Sequence, residues 1–448
     1  MQICVVSCSP KGELSLTLQA ERFIEQWFGN DSFHVVMAHK GRLTEEMKQE
    51  VTESDMVLLL GSVFHLDIYS YMMELLDNMT KDEEFIQILR EKPVTFLSTS
   101  GLQGDNYAHN TVTKWAVSHR MKWINSLSLH LSALLTDEGC EELFCWFNYV
   151  KSMAVCYQTG EHPTAKERGR VVLLDTASTE HQQLSADIQK AKQHFEISGF
   201  DVEIITLRDY TFKHCTGCMA CYSNRRCCIK DDWHDVFNRL YLNTDMIVYF
   251  GVLHHATLGS TYRTFVERHA SLGRCGMDDG CIKTFMVYKD EMSTAEDFAD
   301  FRICFQGFEG LLRSYLSDVI DLDDKECDFI TALDKMTVAY NNDVMPQTTF
   351  LGISMTRAFA STASVLKYQC SGDYRYFEEK GLYREILPDS HAQWLDGLKE
   401  AVASSMGRLI PYRMKLQHTE GVPVVHDRRP YKALPNCGKT YRLCGCCP

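Results

Sequence analysis

Two octapeptides, far apart in the chain, follow one scheme. Ser54-Asp55-Met56-Val57-Leu58-Leu59-Leu60-Gly61 and Thr244-Asp245-Met246-Ile247-Val248-Tyr249-Phe250-Gly251 both run hydroxyl, aspartate, methionine, four apolar residues, glycine. An apolar run this short, bounded by turn-forming residues, predicts a strand buried on both faces. Its recurrence predicts a duplicated unit, so that the chain folds as two copies of one architecture.

The neighbouring sequence agrees. In the first copy strands are expected at Ile3–Ser7, Phe33–Met37, Met56–Leu60, Val94–Ser98 and about Ser126–Leu131. Helical patterns fall between them near Ser15–Phe28, Ser70–Met79 and Asn106–His119, with another after Asp137. Buried strands separated by helices imply a parallel sheet covered on both faces, and five such units suit the flavodoxin-like order 2-1-3-4-5. After the polar linker Gln158–Pro163 the pattern restarts, with strands at Val171–Leu174, Val202–Thr206, the second octapeptide, Lys283–Tyr288 and, more weakly, near Val319. The expectation is an α/β protein with two doubly wound parallel sheets in tandem. The domains are read as 1–158, 168–345 and a C-terminal extension over 346–448, which holds Tyr374–Phe377, a helical stretch near Ala392–Ser405 and a basic tail.

A net charge of −14 without a basic stripe argues against nucleic acid or an anionic membrane as partner. No apolar run reaches the roughly 18 to 20 residues that cross a bilayer. Met1–Val6 enters a strand without a basic leader, so no signal peptide is expected and the location is read as cytoplasmic. Nineteen cysteines in a reducing compartment point to metal ligands and buried thiols rather than a disulfide framework. Most are scattered singly; two groups cluster, at Cys215–Cys228 and Cys437–Cys447.

The first strand leads into Ser7-Cys8-Ser9-Pro10-Lys11-Gly12-Glu13-Leu14-Ser15-Leu16-Thr17-Leu18. Small hydroxyl residues and a glycine at a strand–helix junction present N–H groups to an anion such as phosphate, with Ser9, Ser15, Thr17 and Lys11 adding donors and charge. The plainer alternative is an ordinary turn with Ser15 as the helix cap. In a doubly wound sheet, ligands sit beyond the carboxyl ends of the strands. There the loops Ser62-Val63-Phe64-His65 and Ser98-Thr99-Ser100-Gly101 would join Ser9–Leu18, with Phe64 free to pack on a planar ring. That arrangement is the flavodoxin solution for FMN, whereas the absence of G-x-G-x-x-G after the first strand disfavours a Rossmann dinucleotide site. The equivalent loop of the second half carries Asp175 and Glu180 where a phosphate would go, so FMN is expected in the first half alone. His65 and His109 are the catalytic candidates, as partners of a flavin edge or substrate; a polar surface role is the alternative for each.

Cys215, Cys218, Cys221 and Cys227 are spaced C-x2-C-x2-C-x5-C. Four thiolates this close can surround one cubane 4Fe–4S cluster, and no proline or second run marks a two-cluster ferredoxin. Cys228 is an adjacent spare. A four-cysteine zinc site is the rival reading, although zinc ribbons bring two separated C-x2-C pairs.

These residues resemble known groups. The first half resembles the NADPH-dependent FMN reductases through Ser7–Gly12 and Ser15–Thr17, and the second resembles archaeal and clostridial iron–sulfur flavoproteins through Cys215–Cys227 and Ile229-Lys230-Asp231-Asp232. To about residue 435 the chain is similar to tandem flavodoxin-family NAD(P)H-dependent oxidoreductases of anaerobic bacteria. The tail cysteines Cys437, Cys444, Cys446 and Cys447 have no counterpart in that pattern. The resemblance implies FMN, one low-potential cluster, NAD(P)H as electron donor, and a flavin and cluster that approach each other in a pseudo-dimer within one chain. Flavin takes electrons in pairs or singly and a cluster takes them singly, so such a protein converts between two-electron donors and one-electron carriers. The implied partner is a ferredoxin-type carrier. A direct reductase of quinones, enones or nitro compounds, and a non-enzymatic carrier or redox sensor, are the competing functions.

Overall fold

The structure is a computed structural model that describes residues 1–64, 67–100, 105–130, 133–135, 137–218, 220–221, 227–241, 243–268, 281–302, 315–344, 363–365 and 371–379. It divides into two units, one over Met1–Glu161 and one beginning at His162.

In the first unit the elements run β1 (Gln2–Ser7), α1 (Leu16–Trp27), β2 (Ser32–Met37), α2 (Glu45–Glu53), β3 (Met56–Phe64), β4 (Asp67–Ile68), α3 (Ser70–Thr80) and α4 (Glu83–Arg90). They continue through β5 (Pro93–Ser100), α5 (Asp105–Ser118), β6 (Lys122–Trp123), β7 (Leu127–His130) and α6 (Asp137–Thr159). The sheet order is β2-β1-β3-β5-β6, parallel throughout, with β7 also on β5 and the short β4 antiparallel to β3. This is the flavodoxin-like order. Alternation assigns the faces: Cys4, Val6, Val57, Leu59, Val94 and Phe96 join α2, α3, α4 and α5 in one core. The intervening residues Ile3, Val5, Leu58, Leu60 and Leu97 are equally buried on the side of α1 and α6. Burying each such side chain contributes roughly 1.5–3 kcal/mol, so a slip of one residue, which exchanges the two faces, is strongly disfavoured.

The fifth position of this sheet differs from the expected continuous strand. It is filled by two pieces, because the carbonyl of Asn125 turns away to accept from Trp146 Nε1 at 2.8 Å, and its side chain accepts from the Tyr149 hydroxyl at 3.1 Å. Trp146 and Tyr149 of α6, with the Thr95 hydroxyl of β5 at 3.4 Å, thus hold Asn125 at the break.

The second unit contains β8 (Arg170–Asp175), α7 (Gln182–Ile197), β9 (Asp201–Thr206), α8 (Trp233–Tyr241), β10 (Met246–Leu253), α9 (Gly259–Glu267), β11 (Ile282–Lys289), β12 (Tyr315–Asp321) and α10 (Phe329–Asn341). Its order, β12-β11-β10-β8-β9, repeats that of the first sheet, and all pairs are parallel. Trp233, Val236, Phe237 and Leu240 of α8 and Tyr262 and Phe265 of α9 close the core over Val172, Ile247, Tyr249 and Phe285. The octapeptides are β3 and β10, and their glycines have one cause: a Cβ at Gly61 would lie 2.8 Å from the Phe96 ring, and one at Gly251 2.5 Å from Thr176 Oγ1.

Of the expected C-terminal extension, the described part is residues 363–365 and a helix α11 (Ser371–Glu379) that includes Tyr374 and Arg375. Ala392–Ser405 and the tail cysteines lie outside the described residues. Among the described residues no helix is long and apolar enough to cross a membrane.

Candidate functional site

At the carboxyl edge of the first sheet, three loops converge on one side chain. Thr17, in the first turn of α1, is wholly buried. Its hydroxyl donates to the carbonyl of Gly61 in β3 (3.0 Å) and lies 2.7 Å from Thr99 Oγ1 near the end of β5. With its proton given to Gly61, Thr17 accepts from Thr99 and has none left for a ligand. It is a strut that fixes the spacing of the loops. Replacing it with valine should destabilise the first unit by about 1–3 kcal/mol, because the buried Thr99 hydroxyl is left without its acceptor. Urea unfolding measures this, and Thr17→Ser should recover most of the loss.

Ser9 and Ser15 are placed differently. Ser9 Oγ accepts from Lys11 N–H at 3.3 Å and Ser15 Oγ caps α1 by accepting from Leu18 N–H at 3.4 Å. Both hydroxyls accept from the chain, and among the described residues neither proton has an acceptor. The N–H groups of Leu16 and Thr17 precede the first intrahelical acceptor and carry the positive end of the helix dipole. Lys11 is exposed at the turn. Leu18, by contrast, gives its N–H to Ser15 and its side chain to the core. Cys8 is also internal: burial pushes its thiol well up, so it is inert.

The second and third loops supply surface and order. Ser62 and Val63 are partly buried, Val63 pairing with Ile68 and Ser62 accepting from Tyr69 N–H at 3.0 Å. Phe64 is 42% exposed beside the Tyr69 ring. Leu14, in the first loop, and Tyr107, in the first turn of α5, are likewise exposed. Ser98, Thr99 and Ser100 are buried at the end of β5. Ser7 Oγ and Asn110 Oδ1 are buried at the same edge and, among the described residues, have no hydrogen-bond partner. Sequence reasoning singled out neither Leu14, just before α1, nor Tyr107, in the first turn of α5. His65 and Gly101 lie outside the described residues.

His109 is not free to meet a ligand through either ring nitrogen. Nε2 is 2.7 Å from Ser98 Oγ and Nδ1 is 2.6 Å from Ser126 Oγ. Burial pushes its pKa down to about 3, so the ring is neutral at ordinary pH, donating to one serine and accepting from the other. Its place in the structure is to lock β5 to the break before β7.

The equivalent loop of the second unit has its own anion. Asp175 Oδ1 accepts from Ala177 N–H at 3.0 Å and Oδ2 pairs with Arg208 at 2.5 Å. Thr176 donates to Phe250 O at 2.9 Å, as Thr17 does to Gly61. His254, after β10, is held by Asp290, 2.5 Å from Nδ1.

The cysteine loop leaves the second unit between β9 and α8. Cys215, Cys218 and Cys228 are exposed, and Cys221 and Cys227 are partly buried. Cys218 Sγ and Cys228 Sγ stand 3.5 Å apart. The N–H of Ala220, helped by the Cys228 thiol and the Thr216 hydroxyl, lowers the Cys218 pKa, which makes it the better thiolate of the pair. Gly217 takes φ +63°, a left-handed turn that suits glycine. Among the described residues no three ligating side chains have converged on one point. The donor set itself, five thiols between Cys215 and Cys228, is the chemistry of an iron–sulfur or zinc site.

Both ends of this loop are tied to one buried cation that sequence reasoning did not single out. Arg268, just after α9, donates to Asp231 Oδ2 at 2.6 Å, to Ile229 O at 3.0 Å and to Lys213 O at 3.4 Å, and lies over the Trp233 ring. Asp231 also accepts from the N–H of Lys213 and of Trp233, and Glu267 accepts from Cys215 N–H at 2.6 Å. Burial opposes the charge of Asp231, but Arg268 and those N–H groups still hold its pKa below the usual value. The acidic pair after the cysteines was the visible half of this clamp.

The chain matches no protein-family model. An iron–sulfur flavoprotein of Archaeoglobus fulgidus is 27% identical over 86 residues, which is 19% of this chain and 39% of that protein. The chain therefore spans about two fifths of that relative's length. Solved structures similar to it include an NADPH-quinone reductase from P. pentosaceus, with 15% identity over 36% of this chain and 96% of that one and a TM-score of 0.26. A WrbA-like flavodoxin from Agrobacterium tumefaciens gives 14% identity over 36% and 99%, with a TM-score of 0.28. General stress protein 14 of Treponema denticola, solved with FMN, gives 10% identity over 34% and 98%, with a TM-score of 0.28.

Proposed function

We propose that this chain is a flavin-dependent NAD(P)H oxidoreductase, an iron–sulfur flavoprotein with FMN at the carboxyl edge of the first sheet and one 4Fe–4S cluster on the Cys215–Cys228 loop. The observation that carries the reading is the hydroxyl-lined edge gathered by Thr17. There Ser9 and Ser15 keep protons for a phosphate at the start of α1, while Leu14, Phe64 and Tyr107 offer apolar surface for a planar ring. Ser7 Oγ and Asn110 Oδ1, which have no hydrogen-bond partner among the described residues, suit a polar ligand there. Flavin exchanges electrons in pairs or singly, and a cluster passes them singly. The protein's own part is to orient the ring, exclude water from Ser98–Ser100, and clamp the cysteine loop through Arg268. The short match to an iron–sulfur flavoprotein supports the second cofactor. Asp175 disfavours a second flavin, since it already takes the loop N–H that a phosphate would use.

The exposed aromatic edge favours one further reading, direct reduction of a flat apolar acceptor such as a quinone, enone or nitro compound; a ferredoxin-type carrier is the partner under the main reading. Anaerobically purified full-length protein should show a flavin spectrum with about one FMN and about four iron atoms per chain. Oxidation of NADH or NADPH with a quinone alone selects the direct reductase, and a need for ferredoxin selects the carrier-linked enzyme. Colourless protein without iron or FMN overturns the proposal.

A further inference from the structure

We infer that Cys228, rather than its neighbour Cys227, is the fourth thiolate of the metal-binding loop, which gives the ligand set Cys215, Cys218, Cys221 and Cys228. The inference rests on the cluster reading above and adds to it a choice between two adjacent sulfurs that spacing leaves open.

The geometry separates them. Cys228 is exposed on the same side as Cys218, with the two Sγ atoms 3.5 Å apart. Cys227 is partly buried and packs on the apolar core of the second unit with Tyr210 and Phe212. From Cys227 to Lys230 the exposure alternates in, out, in, out, the pattern of an extended chain whose successive side chains face opposite ways. The phase of that alternation is pinned downstream. Arg268 holds the carbonyl of Ile229 and the carboxylate of Asp231, and Asp232 accepts from Thr211 N–H at 2.8 Å. Turning Cys227 outward would rotate Ile229 and break the Arg268 contact, whereas Cys228 is already turned toward Cys218. Cys227 then serves as a small apolar plug at the foot of the loop.

The test uses the full-length chain, reconstituted anaerobically with ferrous iron and sulfide. Wild type, Cys227→Ala and Cys228→Ala are compared by iron and sulfide count and by the electron paramagnetic resonance spectrum after reduction. Cys227→Ala should keep the wild-type count and g values. Cys228→Ala should lose roughly half or more of the iron, or shift its g values, because one iron of the cubane lacks its thiolate. Cys228→Ser, an exposed exchange of similar size that leaves the core untouched, should repeat that result. If Cys227→Ala loses iron, alone or together with Cys228→Ala, the assignment is wrong while the cluster stands. If wild type itself binds no iron, the cluster reading falls and takes the assignment with it.

Discussion

Replacing Arg268 with methionine should lower the unfolding temperature of the second unit by about 6 to 20 °C, read by calorimetry of the full-length chain. The side chain of Arg268 is fully buried and that of Asp231 nearly so. Methionine fills much of the volume but strands the carboxylate, and removing one partner of a buried pair costs about 3–5 kcal/mol. The loss is local in origin. The carbonyls of Lys213 and Ile229 lose their donor, so the stems on either side of the cysteines part from α9. Lysine should fail to rescue, since it keeps the charge but lacks the planar fork that reaches both carbonyls and the carboxylate. A transition within about 2 °C of wild type would refute the clamp.

The second large effect is one of pH. Glu21, on the buried face of α1 one turn beyond Thr17, is fully inaccessible. Among the described residues neither of its oxygens has a hydrogen-bond partner, and the nearest cation is Arg22, with Nε at 3.7 Å. Burial raises its pKa from 4.5 to about 7; Arg22 opposes the rise, and Glu25 and Glu13 add to it. Because the folded value lies above the unfolded one, the folded chain retains a proton that the unfolded chain has released between those two pH values. Stability from this group is therefore full below about pH 4.5, falls as pH rises through the window, and is lost above about 7. The total is about 3 kcal/mol. Unfolding free energies from urea titrations at the two ends of the window should differ by that amount more in wild type than in Glu21→Gln, which does not titrate. Equal pH slopes in the two proteins would show that Glu21 is ionised and solvated in the fold.

Much of this architecture was legible because burial on both faces leaves a plain trace. Met56–Leu60 and Met246–Phe250 have no polar side to hide, and the glycine after each marks a backbone crowded by Phe96 or Thr176. The hydroxyl residues of the first loop were equally visible, but their division of labour was not. Ser9, Ser15 and Thr17 look alike in sequence, and only the contact of Thr17 with Gly61 and Thr99, both distant in the chain, separates a strut from a donor. His109 looked available because the two serines that occupy it, Ser98 on β5 and Ser126 in the break before β7, lie outside its own helix. Arg268 was invisible for the same reason, since nothing local distinguishes an arginine at a helix end from a solvated one. The short helices α2 and α4 went unread because each covers its core with two or three apolar residues, too few for a period to show.

The pairing of buried Asp175 with partly exposed Arg208 has a further consequence. In the second unit the turn after β8 carries a tethered carboxylate that already takes the N–H of Ala177, much as a pseudosubstrate fills an enzyme it resembles. A free anion would have to outcompete a group present at very high local concentration. Such a turn is complete without a bound anion, so no ligand there constrains the loops beyond it.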